Sequence, residues 1–170
     1  VDPGIYTEAV LCGTKSVRLL STGGPSVTFI IPPSGQVGVS LGEGLNTSTL
    51  SGFTISNATA GVSIASGLAA CPACTPTIIS NVIVNCGRGI QAQVSSPTIS
   101  YNRIQSCSGA GIHLGGPAAA LIEGNLIEQN GLGIEMWAAG FPTIRNNIVR
   151  RNLGTGILLS NNFCLPRATS

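Results

Sequence analysis

One segment of this chain says nearly the same thing four times, and that limits what the chain can fold into. The copies run PTIISNVIVNCGRGIQA from Pro76, PTISYNRIQSCSGAGIHL from Pro97, AALIEGNLIEQNGLGIEM from Ala119 and PTIRNNIVRRNLGTGILL from Pro142. Each carries asparagine, any residue, Ile or Val, two variable residues, Cys or Asn, and then Gly-Ile. The leading asparagines are Asn81, Asn102, Asn125 and Asn147, spaced by 21, 23 and 22 residues. A unit of this size cannot bury its own apolar side, so neighbouring copies must stack into a solenoid.

Composition decides what each unit is made of. Charged residues are 8% and aromatics 4%, with 23 glycines and many Ser, Thr and Asn. That favours short strands joined by tight turns over helices. A leucine-rich repeat also fits the period, but its Leu-x-x-Leu-x-Leu spacing is absent. A left-handed hexapeptide helix needs multiples of six residues, which 21–23 are not. The expected fold is all-β: a β-solenoid with three short strands per coil of about 21–23 residues.

Alternation then sorts inward from outward residues. The first strand of each coil should turn Leu50, Ile78, Ile99, Ile122 and Ile144 inward, and the second Ile55, Ile83, Ile104, Ile127 and Val149. The third should bury Val62, Ile90, Ile112, Ile134 and Ile157 together with Ile64, Ala92, Leu114, Met136 and Leu159. The four asparagines are expected to form a turn ladder, bonding along the stack and tolerating left-handed backbone. Before the copies, Val17 and Leu19, then Val27 and Phe29, then Val37, Val39 and Leu41 alternate as further short strands. Residues 1–162 should form a single domain with an irregular loop near 67–75, followed by a cap or tail at 163–170.

The run from Val1 to Glu8, Gly24-Pro25-Ser26-Val27-Thr28, LSGFTISN from Leu50, and the Pro-Thr-Ile…Asn-x-Ile-x-x-Cys coils resemble right-handed parallel β-helix repeat proteins. The resemblance is to the pectate-lyase-like superfamily, in its non-enzymatic or uncharacterised bacterial branch, and it makes the expected solenoid a right-handed parallel β-helix. Such relatives usually carry another strand before the Pro-Gly-x-Tyr turn, so the first coil is expected to be truncated. The resemblance implies carbohydrate as the ligand class, but the group's enzymes act through sets of carboxylates. Here the only aspartate is Asp2, and no Asp-Asp or Asp-x-Asp pair occurs. The expectation is therefore a non-catalytic domain that binds carbohydrate or serves as a scaffold.

The alternative is a carbohydrate-active enzyme (lyase, hydrolase or epimerase-like) with an atypical site. Its candidates lie on the outer face of the third strand, where Ser63, Gln91, His113, Glu135 and Leu158 align. Two residues further on come Gln93, Gly115, Trp137 and Ser160. The lone histidine thus sits one coil from Glu135, close enough for the pair to move a proton. Trp137 offers an indole face to a sugar ring. His113 and Glu135 are the candidate catalytic pair, and Gln91, His113, Glu135 and Trp137 the candidate ligand-binding set. The competing reading is a solvated strand face with a chance cross-strand pair.

Six cysteines suit an oxidising compartment, hence a secreted or cell-surface protein. Cys86 and Cys107 occupy equivalent positions, continued by Asn130 and Asn152; stacked buried thiols are favoured over a disulfide. Cys71 and Cys74 suit a loop disulfide or a free pair. No cofactor and no metal site is read from the sequence. A net charge of +2 with no basic stripe argues against nucleic acid as a partner. No apolar run is long enough for a membrane-spanning helix. Exposed strand edges at the ends of a solenoid favour end-to-end homo-oligomers.

Overall fold

The computed structural model describes residues 1–42, 47–64, 74–116, 119–137 and 141–160. Every strand pairs in parallel with the one three places away in chain order, as a coil of three strands requires. The connections give a right-handed parallel β-helix, the hand that parallel crossovers adopt. The first sheet stacks β1 (Gly4–Tyr6), β4 (Thr28–Ile30), β7 (Thr54–Ser56), β10 (Val82–Val84), β13 (Arg103–Gln105), β16 (Leu126–Glu128) and β19 (Ile148–Arg150). The second stacks β2 (Val10–Leu11), β5 (Val39–Leu41), β8 (Ala60–Ile64), β11 (Arg88–Gln93), β14 (Ala110–Gly115), β17 (Leu132–Trp137) and β20 (Ile157–Ser160). The third holds β3 (Arg18–Leu20), β6 (Thr49–Ser51), β9 (Thr77–Ile79), β12 (Thr98–Ser100), β15 (Leu121–Glu123) and β18 (Thr143–Arg145).

The inward columns are those the alternation predicts. Leu50, Ile78, Ile99, Ile122 and Ile144 are consecutive partners in the third sheet. Ile55, Ile83, Ile104, Ile127 and Val149 are partners in the first. Val62, Ile90, Ile112, Ile134 and Ile157 follow in the second, with Ile64, Ala92, Leu114, Met136 and Leu159 beside them. Most of these side chains are wholly buried. Ile157 and Leu159, which alternation would bury, are 46% and 60% exposed because no described strand covers them in the last described coil. Each buried Ile contributes roughly 1.5–3 kcal/mol, so the columns rather than ion pairs hold the coils together. The stack also extends back to Gly4, through β1, β2 and β3.

Two local expectations need correction. Within β4 the buried residues are Thr28 and Ile30, while Phe29 faces outward between Ile5 and Thr54. Thr28 can turn inward because its hydroxyl is bonded to Ser21 Oγ at 2.6 Å, so the apolar residue need not take that position. The ladder asparagines, for their part, do not adopt left-handed backbone. The residue before each does: Ser80, Tyr101, Gly124 and Asn146 have φ of 57°, 54°, 66° and 57°. That twist turns each asparagine inward. A second column of the same kind, Asn57, Asn85, Ser106, Gln129 and Arg151, closes the next corner.

The asparagines themselves form the ladder. Asn102 Oδ1 accepts from the backbone N–H of Asn81 at 3.0 Å and from its Nδ2 at 3.1 Å, and Asn125 Oδ1 does the same for Asn102. Asn102 Nδ2 also donates to the Ile78 carbonyl at 2.8 Å. These amides satisfy backbone groups at a buried corner, which leaves none of them facing solvent as a binding row.

The glycine of the Gly-Ile motif has a steric origin. A Cβ at Gly61 would collide with Ile83 Cγ2 and the Gly89 carbonyl, and one at Gly89 with Ile104 Cγ2 and the Gly111 carbonyl. The coil corner is too tight there for any side chain.

Candidate functional site

The second sheet places the candidate residues side by side. β11, β14 and β17 pair in register, so Gln91 lies opposite His113 and His113 opposite Glu135. Two residues on, Gln93, Gly115 and Trp137 align, with Ser160 of β20 beyond them. The alternation that sends Ile112 and Leu114 into the core leaves His113 on the outer face.

His113 Nδ1 and Glu135 Oε2 are 2.8 Å apart. Burial by itself would raise the Glu135 carboxyl. The Trp137 indole N–H, His113 and Arg88 outweigh it and hold the group below its ordinary value. An ionised carboxylate only accepts hydrogen bonds, so the proton between the pair rests on Nδ1.

This face is not the solvated one that alternation alone suggests. His113 is only 8% exposed and Glu135 9%, whereas Trp137 is 47% exposed. In-register neighbours sit roughly 4.7–4.9 Å away on either side, so long side chains along and across the strands shield one another. Arg88, which sequence reasoning passed over, contributes: its Nη1 donates to Gln91 Oε1 at 2.9 Å. Alternation gave no signal for it, since an offset of three residues from Gln91 assigns Arg88 to the opposite face of the strand. Gln93 is the other residue given too little weight. A Cβ at Gly115 would overlap the Gln93 carboxamide, so that amide lies across the glycine. Next to it Val94 holds φ at 40°, a strained setting for a β-branched residue.

The result is a polar strip with one aromatic plane. Arg88, Gln91 and Gln93 offer donors and acceptors, the His113–Glu135 pair forms a buried hinge of charge, and Trp137 projects from it. Among the described residues no group of three or more His, Cys, Asp or Glu is placed to hold a metal ion.

Other outward-facing polar residues lie away from this strip. Glu128 is buried on the outer side of the first sheet between Arg103, at 3.3 Å, and Arg150, at 3.0 Å. Glu123 pairs with Arg145 at 3.0 Å. These are cross-coil braces with the arginines about half exposed. Thr77, Thr98 and Thr143 align on the third sheet, and Leu121 interrupts the row. Cys86 and Cys107 are both free and buried, as the stacking of thiols predicts. Cys74 is disulfide-bonded. Its expected partner Cys71, the loop near 67–75 except its last residues, and the tail at 163–170 lie outside the described residues.

With this architecture in place, comparison with known proteins gives the class. The family model described as a right handed beta helix region matches residues 38–169. The chain belongs to that family. None of the curated proteins and none of the solved structures compared with it matches.

Proposed function

We propose that this is a non-catalytic β-helix domain whose second sheet carries a carbohydrate-binding strip on its outer face. The observation that carries the reading is the half-exposed Trp137 indole, at the next position on the same outer face beyond the buried His113–Glu135 pair. An aromatic plane gives apolar contact to a sugar ring at little entropic cost. Gln91, Gln93 and Arg88 supply the hydroxyl-reading groups beside it. The test is a glycan array probed with the parent and with Trp137→Ala and Gln91→Ala, each checked for an unchanged melting curve. Trp137→Ala should abolish the signal and Gln91→Ala should narrow the set of glycans bound. A parent that binds no glycan, or a Trp137→Ala variant that binds as the parent does, sinks the reading.

One observation favours a second reading, a carbohydrate-active enzyme. The carboxylate-oriented His113 has the geometry of a general base, with Glu135 in a positioning role. Turnover of an acidic or neutral polysaccharide that is lost in His113→Ala would decide for it. The absence of the familiar carboxylate sets makes it the weaker choice.

Two further elements belong to the first reading. The Cys74 disulfide supports a secreted or cell-surface location, where disulfides persist. The strand edges left unpaired among the described residues support end-to-end self-association, which would align several strips on one face.

A further inference from the structure

The pair Cys86 and Cys107 is absorbed by none of this. Their column runs Ala58, Cys86, Cys107, Asn130 and Asn152, as the stacked bonds from Gly87 N–H to the Ala58 carbonyl, Ser108 N–H to that of Cys86, Gly131 N–H to that of Cys107 and Leu153 N–H to that of Asn130 show. In the lower half of the column amides bond to each other, Asn130 Nδ2 to Asn152 Oδ1 at 3.2 Å. In the upper half that amide ladder gives way to two thiols. Both are free, and they are 3% and 2% exposed.

We propose that Cys86 and Cys107 form a two-coordinate thiolate site for a soft monovalent cation of the copper(I) class. Equivalent positions in adjacent coils are separated by roughly 4.7–4.9 Å. Two metal–thiolate bonds end to end, at about 2.3 Å each, span about 4.6 Å. A single cation between two sulfurs stacked at the rise of the helix therefore matches that span. A disulfide does not fit so well. Parallel in-register Cβ vectors keep the Cβ atoms near the coil spacing, above the roughly 3.5–4.5 Å that a disulfide uses.

The surroundings select the ion. Thiolates favour soft cations, and zinc requires four ligands. Among the described residues no third His, Cys, Asp or Glu joins the two sulfurs. Each thiol now donates to a backbone carbonyl, Cys86 Sγ to that of Val84 at 3.4 Å and Cys107 Sγ to that of Gln105 at 3.6 Å. Binding replaces both: Cu⁺ adds to the two sulfurs, the two thiol protons leave to solvent, and a bis-thiolate of net charge −1 remains. No electron is transferred.

The full chain is titrated anaerobically with copper(I) against a colorimetric copper(I) chelator. One equivalent should be retained by the parent and by Cys12→Ser. Cys86→Ser and Cys107→Ser should each weaken retention by more than roughly 100-fold, beyond what the loss of an outer-shell partner costs. Should either variant fold poorly, X-ray absorption of the loaded parent decides, with two sulfur neighbours and no others expected. Complete stripping by the chelator, retention that survives both substitutions, retention lost in Cys12→Ser, or a third neighbour at the metal overturns the proposal.

Discussion

At the scale of single residues, two glycines in the same strand pair do opposite jobs. Gly89 is fenced by backbone: a Cβ there meets the Gly111 carbonyl and Ile104 Cγ2, neither of which can yield without moving a coil. Gly115 is covered only by the far end of the Gln93 side chain, which can swing away. Gly89→Ala should therefore cost about 1–3 kcal/mol or more, in the range of core overpacking. Gly115→Ala should cost less than about 1 kcal/mol, within the range of surface changes. Urea unfolding of the two variants tests this, and equal losses would mean that the corner is not the tight point. The site residues show the same dependence on neighbours. Pairing of His113 with Glu135 was legible from the period of two and the repeat length. Their burial was not, because covering by neighbouring long side chains depends on rotamers rather than on register.

At the scale of the element, the asparagine column is the part of the repeat whose role the sequence conveyed best and whose geometry it conveyed least. Spacing located Asn81, Asn102, Asn125 and Asn147, and the hydrogen bonds between them are the ones stacking requires. The left-handed residue lies one place earlier, at positions as varied as Ser80, Tyr101 and Gly124. No residue-type signal marks such a column when a serine and a tyrosine occupy it. In the same way β4 inverts its expected faces, because a bonded threonine hydroxyl satisfies the core as an apolar group would. The column also makes a graded prediction. Asn102→Ala removes the acceptor for the Asn81 N–H and the donor to the carbonyls of Ile78 and Ser100. Each buried polar group left unpaired costs about 1–3 kcal/mol. Thermal melts should show a larger loss for Asn102→Ala than for Asn147→Ala, which lies in the last described coil. Equal losses would argue that the amides act singly rather than as a ladder.

At the scale of the molecule, a stack of coils is stable in its middle and unsatisfied at its ends. In the last described coil, Ile148, Leu153, Ile157 and Leu159 are all exposed, and among the described residues β18, β19 and β20 pair on one side only. At the other end Ile5 and Leu11 are exposed, and a hollow of about 160 Å³ opens beside Val1, Tyr6, Glu8, Val10, Leu19, Ile30 and Phe53. If the proposed self-association holds, the apolar side chains of the last described coil would dock on the largely apolar hollow of the first in another copy. Such a head-to-tail contact adds copies without a fixed limit unless its rotation closes a ring. Sedimentation of the chain should show mass rising with concentration beyond a dimer. Ile157→Lys with Leu159→Lys should return it to the monomer, because a charge facing the partner's edge strand opposes pairing. Neither change touches the outer strip of the second sheet, so glycan binding by the monomeric variant would drop only in avidity. A parent that stays monomeric at every concentration would instead confine the function to a single strip centred on Trp137.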